Sequence, residues 1–271
     1  MKLLHLLFVG SAVAFHAPII TRPALRHSSP VALEPWPPRQ ATAGGTAELI
    51  ADETMTDEIV RGIGEGRDLP APSGINTLDA PIQAAIVLAI FVAIGVGSSA
   101  LYGGFDVVRD SFLWKLSRPT WPILGLIYLA AGVAHFTELE GFTNITPPDG
   151  TWGFWKTPFS PKVNVLWTGV VEIFGGAWML FGAGAALAGV TLPVALGPVV
   201  SDGALTLWLL TWAVTPANVY ALTHGANFPL DLETPPKAHA IRLAFQSVLL
   251  AMLWEMAQPT IIDAQNNLGL V

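Results

Sequence analysis

The chain has 271 residues, 12% of them charged and 52% hydrophobic, with a formal net charge of -7 and a mean hydropathy of +0.53. Charged residues at about half the globular norm of roughly 25%, interrupted by several long apolar runs, describe a polytopic membrane protein. The chain has no cysteine, which excludes disulfides, thiolate nucleophiles, iron–sulfur clusters and Cys-bound zinc, and its acidic balance argues against nucleic-acid binding.

Residues 1–14, MKLLHLLFVGSAVA, have the layout of a secretory signal peptide: one Lys, an apolar run from Leu3 to Val13, and small residues at Ala12 and Ala14. The run is too short to be a span. Residues 15–42 carry Arg22, Arg26 and Arg39 against Glu34, the composition of a transit peptide. A signal peptide followed directly by a transit peptide, with Phe15 at the junction, resembles the bipartite presequences of algae whose plastids came from a red alga by secondary endosymbiosis. The resemblance implies a plastid membrane destination, the thylakoid before the envelope, and a mature chain that lacks these residues.

Residues 43–80 hold eight acids, Glu48 to Asp79, against Arg61 and Arg67, and are rich in Gly and Pro. They are expected to form a solvated acidic linker with a short helix over 46–63. Residues 81–104 follow with no charge and about twenty apolar residues, enough to cross roughly 30 Å of hydrocarbon. Residues 105–119, with Arg109, Lys115 and Arg118, are expected to lie at the interface as an amphipathic connector, with Trp114 and Trp121 at headgroup level. Residues 120–259 hold four more apolar segments, 121–142, 164–184, 204–225 and 236–259, and 260–271 is a tail. The expected fold is therefore all-α: a four-helix transmembrane bundle preceded by one extra transmembrane helix and a disordered N-terminus.

Alternation of direction places certain polar residues in one half of the bilayer. His135 and Glu138 end the first bundle helix, and Glu172 lies early in the second. Asn218 and His224 end the third, and Arg242 and Gln246 begin the fourth. A carboxylate in hydrocarbon needs a partner, and Arg242 is the expected one for Glu172, since its fork can hold a carboxylate bidentately. Pro216 lacks an N–H, so a kink is expected that frees the carbonyl of Trp212, with Asn218 near enough to answer it. His135, Glu138, Glu172, Asn218, Arg242 and Gln246 form the candidate polar cluster. Such a cluster either fixes helix register or marks a binding or proton path. His135 and Glu138 share a helix face, yet no second histidine joins them with Glu172, so no metal is assigned. No nucleophile elbow, phosphate loop or HExxH is present, and no catalytic residue is assigned.

Four segments, AAGVAHFTELEGFTNITPP, TGVVEIFGGAWMLFG, TPANVYAL and HAIRLAFQSVLLAMLWE, together resemble the DoxX-like family of membrane proteins. The resemblance covers about residues 121–258 and leaves the leading span outside. It implies a four-helix membrane bundle in which His135, Glu172, Asn218 and Arg242 fall on the family's histidine, glutamate, Pro-Asn turn and arginine. Some members of that family are subunits of quinone-linked oxidoreductases. Three functions follow as expectations. The chain could be a non-catalytic accessory or assembly subunit of a membrane complex, plausibly photosynthetic. It could bind a quinone or another lipophilic ligand. It could bind chlorophyll through His135, His224, Asn218 or Glu172. The expected partners are membrane lipid and other plastid membrane proteins.

Overall fold

The computed structural model describes residues 69–193, 196, 198–227 and 235–269; residues 1–42, expected to be signal and transit peptides, and the expected linker up to residue 68 lie outside them. Among the described residues all regular structure is helical. Five segments are long and apolar enough to cross a membrane: Ala80–Val108, Phe112–Thr137, Pro161–Leu187, Val199–His224 and Pro236–Asn267. The α-helices are α1 (Ala80–Val108), α2 (Phe112–Ser117), α3 (Leu124–Thr137), α4 (Leu139–Asn144), α5 (Pro161–Leu187), α6 (Val199–His224) and α7 (Pro236–Asn267).

Local chemistry starts these helices. Proline occupies the first turn of α1, α5 and α7, where its missing N–H would have no helical partner anyway. Ser160 caps α5 by accepting from the Val163 N–H at 3.4 Å, and Ser111 caps α2 by accepting from Trp114 at 3.2 Å. Glu138, at φ -115° and ψ 39°, breaks the first bundle helix, which was expected to be continuous to residue 142, into α3 and α4.

In the bundle α3 packs on α5, α5 on α6, and α6 on α7. The leading helix α1 packs on α7, the helix most distant from it in sequence. Ser247 Oγ donates to the Ile94 carbonyl at 3.3 Å, and Arg109 reaches Glu255 at the same distance, so α1 and α7 run parallel. Tyr220, Met179, Leu207 and Leu253 fill the seams, while Leu88, Val92, Val96 and Phe174 face outward. Those exposed side chains suit lipid contact, since hydrocarbon is as apolar as leucine.

The last helix departs most from expectation. It was expected to end at residue 259, and it runs through Pro259 to Asn267. The start of α6 supports that continuation: Thr260 donates its N–H to Ser201 Oγ at 3.0 Å and its hydroxyl to Asp202 Oδ1 at 2.6 Å.

The connector is held to the bundle by one acid. Glu255, 8% exposed on α7, lies 3.3 Å from Arg109 and 3.9 Å from Arg118. These two arginines bracket α2. Arg109 sits over the Trp114 ring at 5.9 Å and Arg118 over Trp121 at 5.1 Å, while the two indoles pack at 5.0 Å with Phe105 beside both. The charge of Glu255, ahead of that of Asp106, raises Arg109 above the ordinary guanidinium value. Glu255→Gln removes the shared charge while keeping the volume. The loss of stability should be small, because Arg109 is exposed. Trypsin should cut faster at Arg109 or Lys115 in detergent-solubilised variant than in wild type; equal rates would mean that the aromatic contacts alone hold the connector.

Candidate functional site

The candidate cluster begins with a crossing of two backbones. A methyl group at Gly132 of α3 would lie 2.7 Å from the Gly169 carbonyl oxygen and 2.9 Å from Glu172 Cβ. A methyl at Gly169 of α5 would lie 2.7 Å from His135 Cβ. Gly125 and Gly176 repeat the contact two turns away, where a methyl on Gly125 would lie 2.7 Å from the Gly176 carbonyl. Real Cβ atoms do not come this close, so glycine is required, and the two helices touch through their backbones.

This crossing brings His135 and Glu172 together. Nδ1 of His135 lies 3.1 Å from Glu172 Oε2, and both side chains are buried. The same nitrogen lies 2.9 Å from the Ala131 carbonyl in the preceding turn of α3. By distance the first contact is a salt bridge; by direction it is not a hydrogen bond. The N–H is aimed along its own helix, and Oε2 has no aligned donor. The angle decides, because one ring hydrogen cannot serve two acceptors well. Phe142 of α4 stacks on the imidazole with centroids 4.0 Å apart and covers the pair. His135 is two residues from the end of α3, whereas Glu172 is eleven residues into α5. The loop-side ends are therefore not flush, and α4 packs against α5.

Arg242, the partner expected for Glu172, is engaged elsewhere. Its Nη2 donates to Asn218 Oδ1 at 3.0 Å. Arginine can only donate, so this contact assigns both amides that follow. Asn218 Nδ2 must then face Gln246 Oε1, at 3.2 Å. Gln246 Nε2 in turn faces the Thr211 carbonyl at 3.0 Å and the Thr215 hydroxyl. Thr211 gives its own hydroxyl hydrogen to the Leu207 carbonyl at 2.6 Å, which leaves Tyr128 of α3 to donate to Thr211 Oγ1 at 2.7 Å. The result is two directed runs of donors, one from Arg242 and one from Tyr128, that converge on Thr211, join α3, α6 and α7, and end on backbone carbonyls.

The structure thus sorts the expected residues into two groups. His135 and Glu172 meet between α3 and α5. Asn218, Arg242 and Gln246 meet between α6 and α7, with Thr211 carrying the link to Tyr128. Glu138 is exposed at the helix break and stands outside both. His224 stacks on Tyr220 at 4.6 Å, with Nδ1 2.9 Å from Thr223 Oγ1. The helix α6 is continuous through Pro216, and the carbonyl that collects side-chain donors is Thr211, one position before the expected Trp212. A glutamine from the neighbouring helix reaches Thr211, whereas Asn218 is held by Arg242.

Tyr128, Thr211 and Thr215 were not anticipated. Hydroxyls on apolar helices commonly bond their own preceding turn, so their type alone gives no warning of a cross-helix role. Glu255 was missed because it lies close to the expected end of the last span. A carboxylate in an apolar run is itself the signal that could have found it. Among the described residues, no group of three His, Asp or Glu is placed to hold a metal ion.

No family model, curated protein or solved structure matches this chain. The two parts of the cluster should respond differently to substitution. Gln246→Leu keeps the volume and should cost about 0.5–2 kcal/mol, since membrane hydrogen bonds are individually modest. Gly169→Leu forces the backbones apart and should cost more, about 3 kcal/mol or above. Thermal melting of both variants in the same detergent checks the order; a larger loss for Gln246→Leu would reverse the assignment of which contact matters more.

Proposed function

We propose that this chain is a plastid membrane protein whose four-helix core is DoxX-like and which acts as a non-catalytic accessory or assembly subunit of a larger membrane complex. One observation carries the reading: beside Glu172 the gap between α3 and α5 does not admit a methyl group. A quinone ring or a chlorin cannot enter a gap that rejects a methyl. The ionisable pair at that point is then a device for holding two helices in register. The second polar group supports the same reading, because the donors traced from Arg242 through Asn218 and Gln246 fall on acceptors of the protein itself. The plastid location rests on the resemblance of residues 1–42 to a bipartite presequence. The outward apolar face of α1, which includes Leu88, Val92 and Val96, supplies surface for lipid or for a neighbouring subunit.

Two measurements test this. Native protein solubilised in mild detergent should migrate well above the mass of one mature chain plus micelle and bring fixed protein partners with it. Protein recovered alone under several mild detergents overturns the assembly reading. Glu172→Gln then separates it from quinone binding at the same residues. An accessory subunit should lose abundance and activity of its complex together, whereas a quinone site should lose electron transfer at unchanged abundance.

A further inference from the structure

A cavity of about 350 Å³ lies at the loop-side end, between the segment before α1, the loop after α4 and the end of α6. Trp152 in its wall holds left-handed backbone at φ 55°. Trp152 and Tyr220 are both buried, so their rings offer a ligand no surface. The unanswered polar chemistry lies at the opposite end of the molecule, on the connector.

The helix α2 opens the second membrane-crossing segment directly after α1 ends, which puts it at the membrane surface. The backbone stays helical from Phe112 through Arg118, at φ -54° and ψ -42°, so helical spacing decides which side chains share a face. Phe112, Leu113 and Leu116 share one, and are 76%, 72% and 63% exposed. Such a face suits the boundary of the acyl layer. Lys115 and Arg118, three residues apart, share the other.

That second face has donors to spare. The Arg118 guanidinium lies 5.1 Å over the Trp121 ring, and its side chain is 28% exposed. Among the described residues it makes no hydrogen bond: Glu255 Oε1 approaches Nε at 3.9 Å, too far to accept. A guanidinium carries five N–H donors in a planar fork, and acyl chains supply no acceptor. Lys115 is exposed and makes no ion pair among the described residues. The nearest acids are committed elsewhere. Asp106 lies 3.0 Å from Arg109, and Glu255 is closer to Arg109, at 3.3 Å, than to Arg118. Asp110 precedes the Ser111 cap, outside the turns that carry the two cations. Two cations with spare donors, on the same short helix as an apolar face at the acyl boundary, match a bound anion at headgroup depth. Arginine adds a fork that fits two oxygens of one phosphate or sulfonate.

We propose that Lys115 and Arg118 bind the headgroup of an anionic membrane lipid, with Arg118 donating to two oxygens of its phosphodiester or sulfonate and with Phe112, Leu113 and Leu116 against the acyl chains. The inference goes beyond the assembly role and does not depend on it. Phosphatidylglycerol is the probe. It is titrated into the delipidated full chain in nonionic detergent at constant ionic strength, beside phosphatidylcholine with the same acyl chains, and followed by native mass spectrometry. Saturable binding of one phosphatidylglycerol is expected, at least tenfold tighter than phosphatidylcholine. Lys115→Gln should weaken it about fivefold, the share of one basic residue near a charged membrane surface. Lys115 has no described ion-pair partner to lose, so this variant separates binding from folding. Arg118→Lys keeps the charge but removes the fork, and should weaken binding as well. Lys162→Gln, at the loop-side end, should leave it unchanged. Equal affinity for the two lipids, an unchanged affinity in Lys115→Gln, or an equal loss in Lys162→Gln overturns the proposal. Displacement of the lipid by inorganic phosphate at equal concentration assigns the site to a free anion and overturns it too.

Discussion

The backbone contact of α3 with α5 is the constraint on which the rest of the bundle depends. Lipid tails give two helices no hydrophobic reason to leave them, so association has to come from close packing and hydrogen bonds. Gly125 against Gly176 and Gly132 against Gly169 provide that packing at two levels. Two levels fix both the distance and the rotation of the helices. With the rotation fixed, His135 and Glu172 are brought face to face, and Tyr128 is turned toward α6.

The polar contacts then act at two different scales. Two directional runs converge on Thr211: one begins at the donor-only Arg242 and ends on the Thr211 carbonyl, and the other begins at Tyr128 and ends on the Leu207 carbonyl. A slip of either helix would misalign several donors at once, so the network specifies register beyond its modest energy. The His135–Glu172 contact is less complete, with one carboxylate oxygen lacking an aligned donor. Its placement under Phe142 ties the end of α3 to α4 and hence to the loop that shapes the aromatic end of the molecule. At the opposite end Glu255 does a comparable job, joining α7 to both arginines that flank α2. Among the described residues, the buried acids Glu172 and Glu255 therefore occur where one segment must be fastened to another.

The leading helix connects these ends. It packs along α7, meets Glu255 through Arg109 at one end, and meets the Trp152 loop through Ala80 at the other. The residues before the four-helix core thus do more than add a span. They contribute a wall to the loop-side cavity and both cations on Glu255. A chain with only the four-helix core would lack both features.

The sequence by itself determined that the described chain is helical and has five segments able to cross a membrane, because hydrocarbon thickness demands about twenty apolar residues per helix and leaves the backbone no other spanning form in an α-protein. It also marked Glu172, Arg242, Asn218 and Gln246 as residues that could not face lipid unaided. Only the tertiary structure decided their partners. Whether Glu172 meets Arg242 or His135 depends on the rotation and axial offset of three helices, and glycine contacts between chains of residues far apart in sequence set those values. Helix ends were legible to within a few residues except at α7, where Ser201 and Asp202 of another helix carry the chain past Pro259. The Trp152 cavity left no trace in the sequence, since a left-handed tryptophan is stable only inside the packing that imposes it.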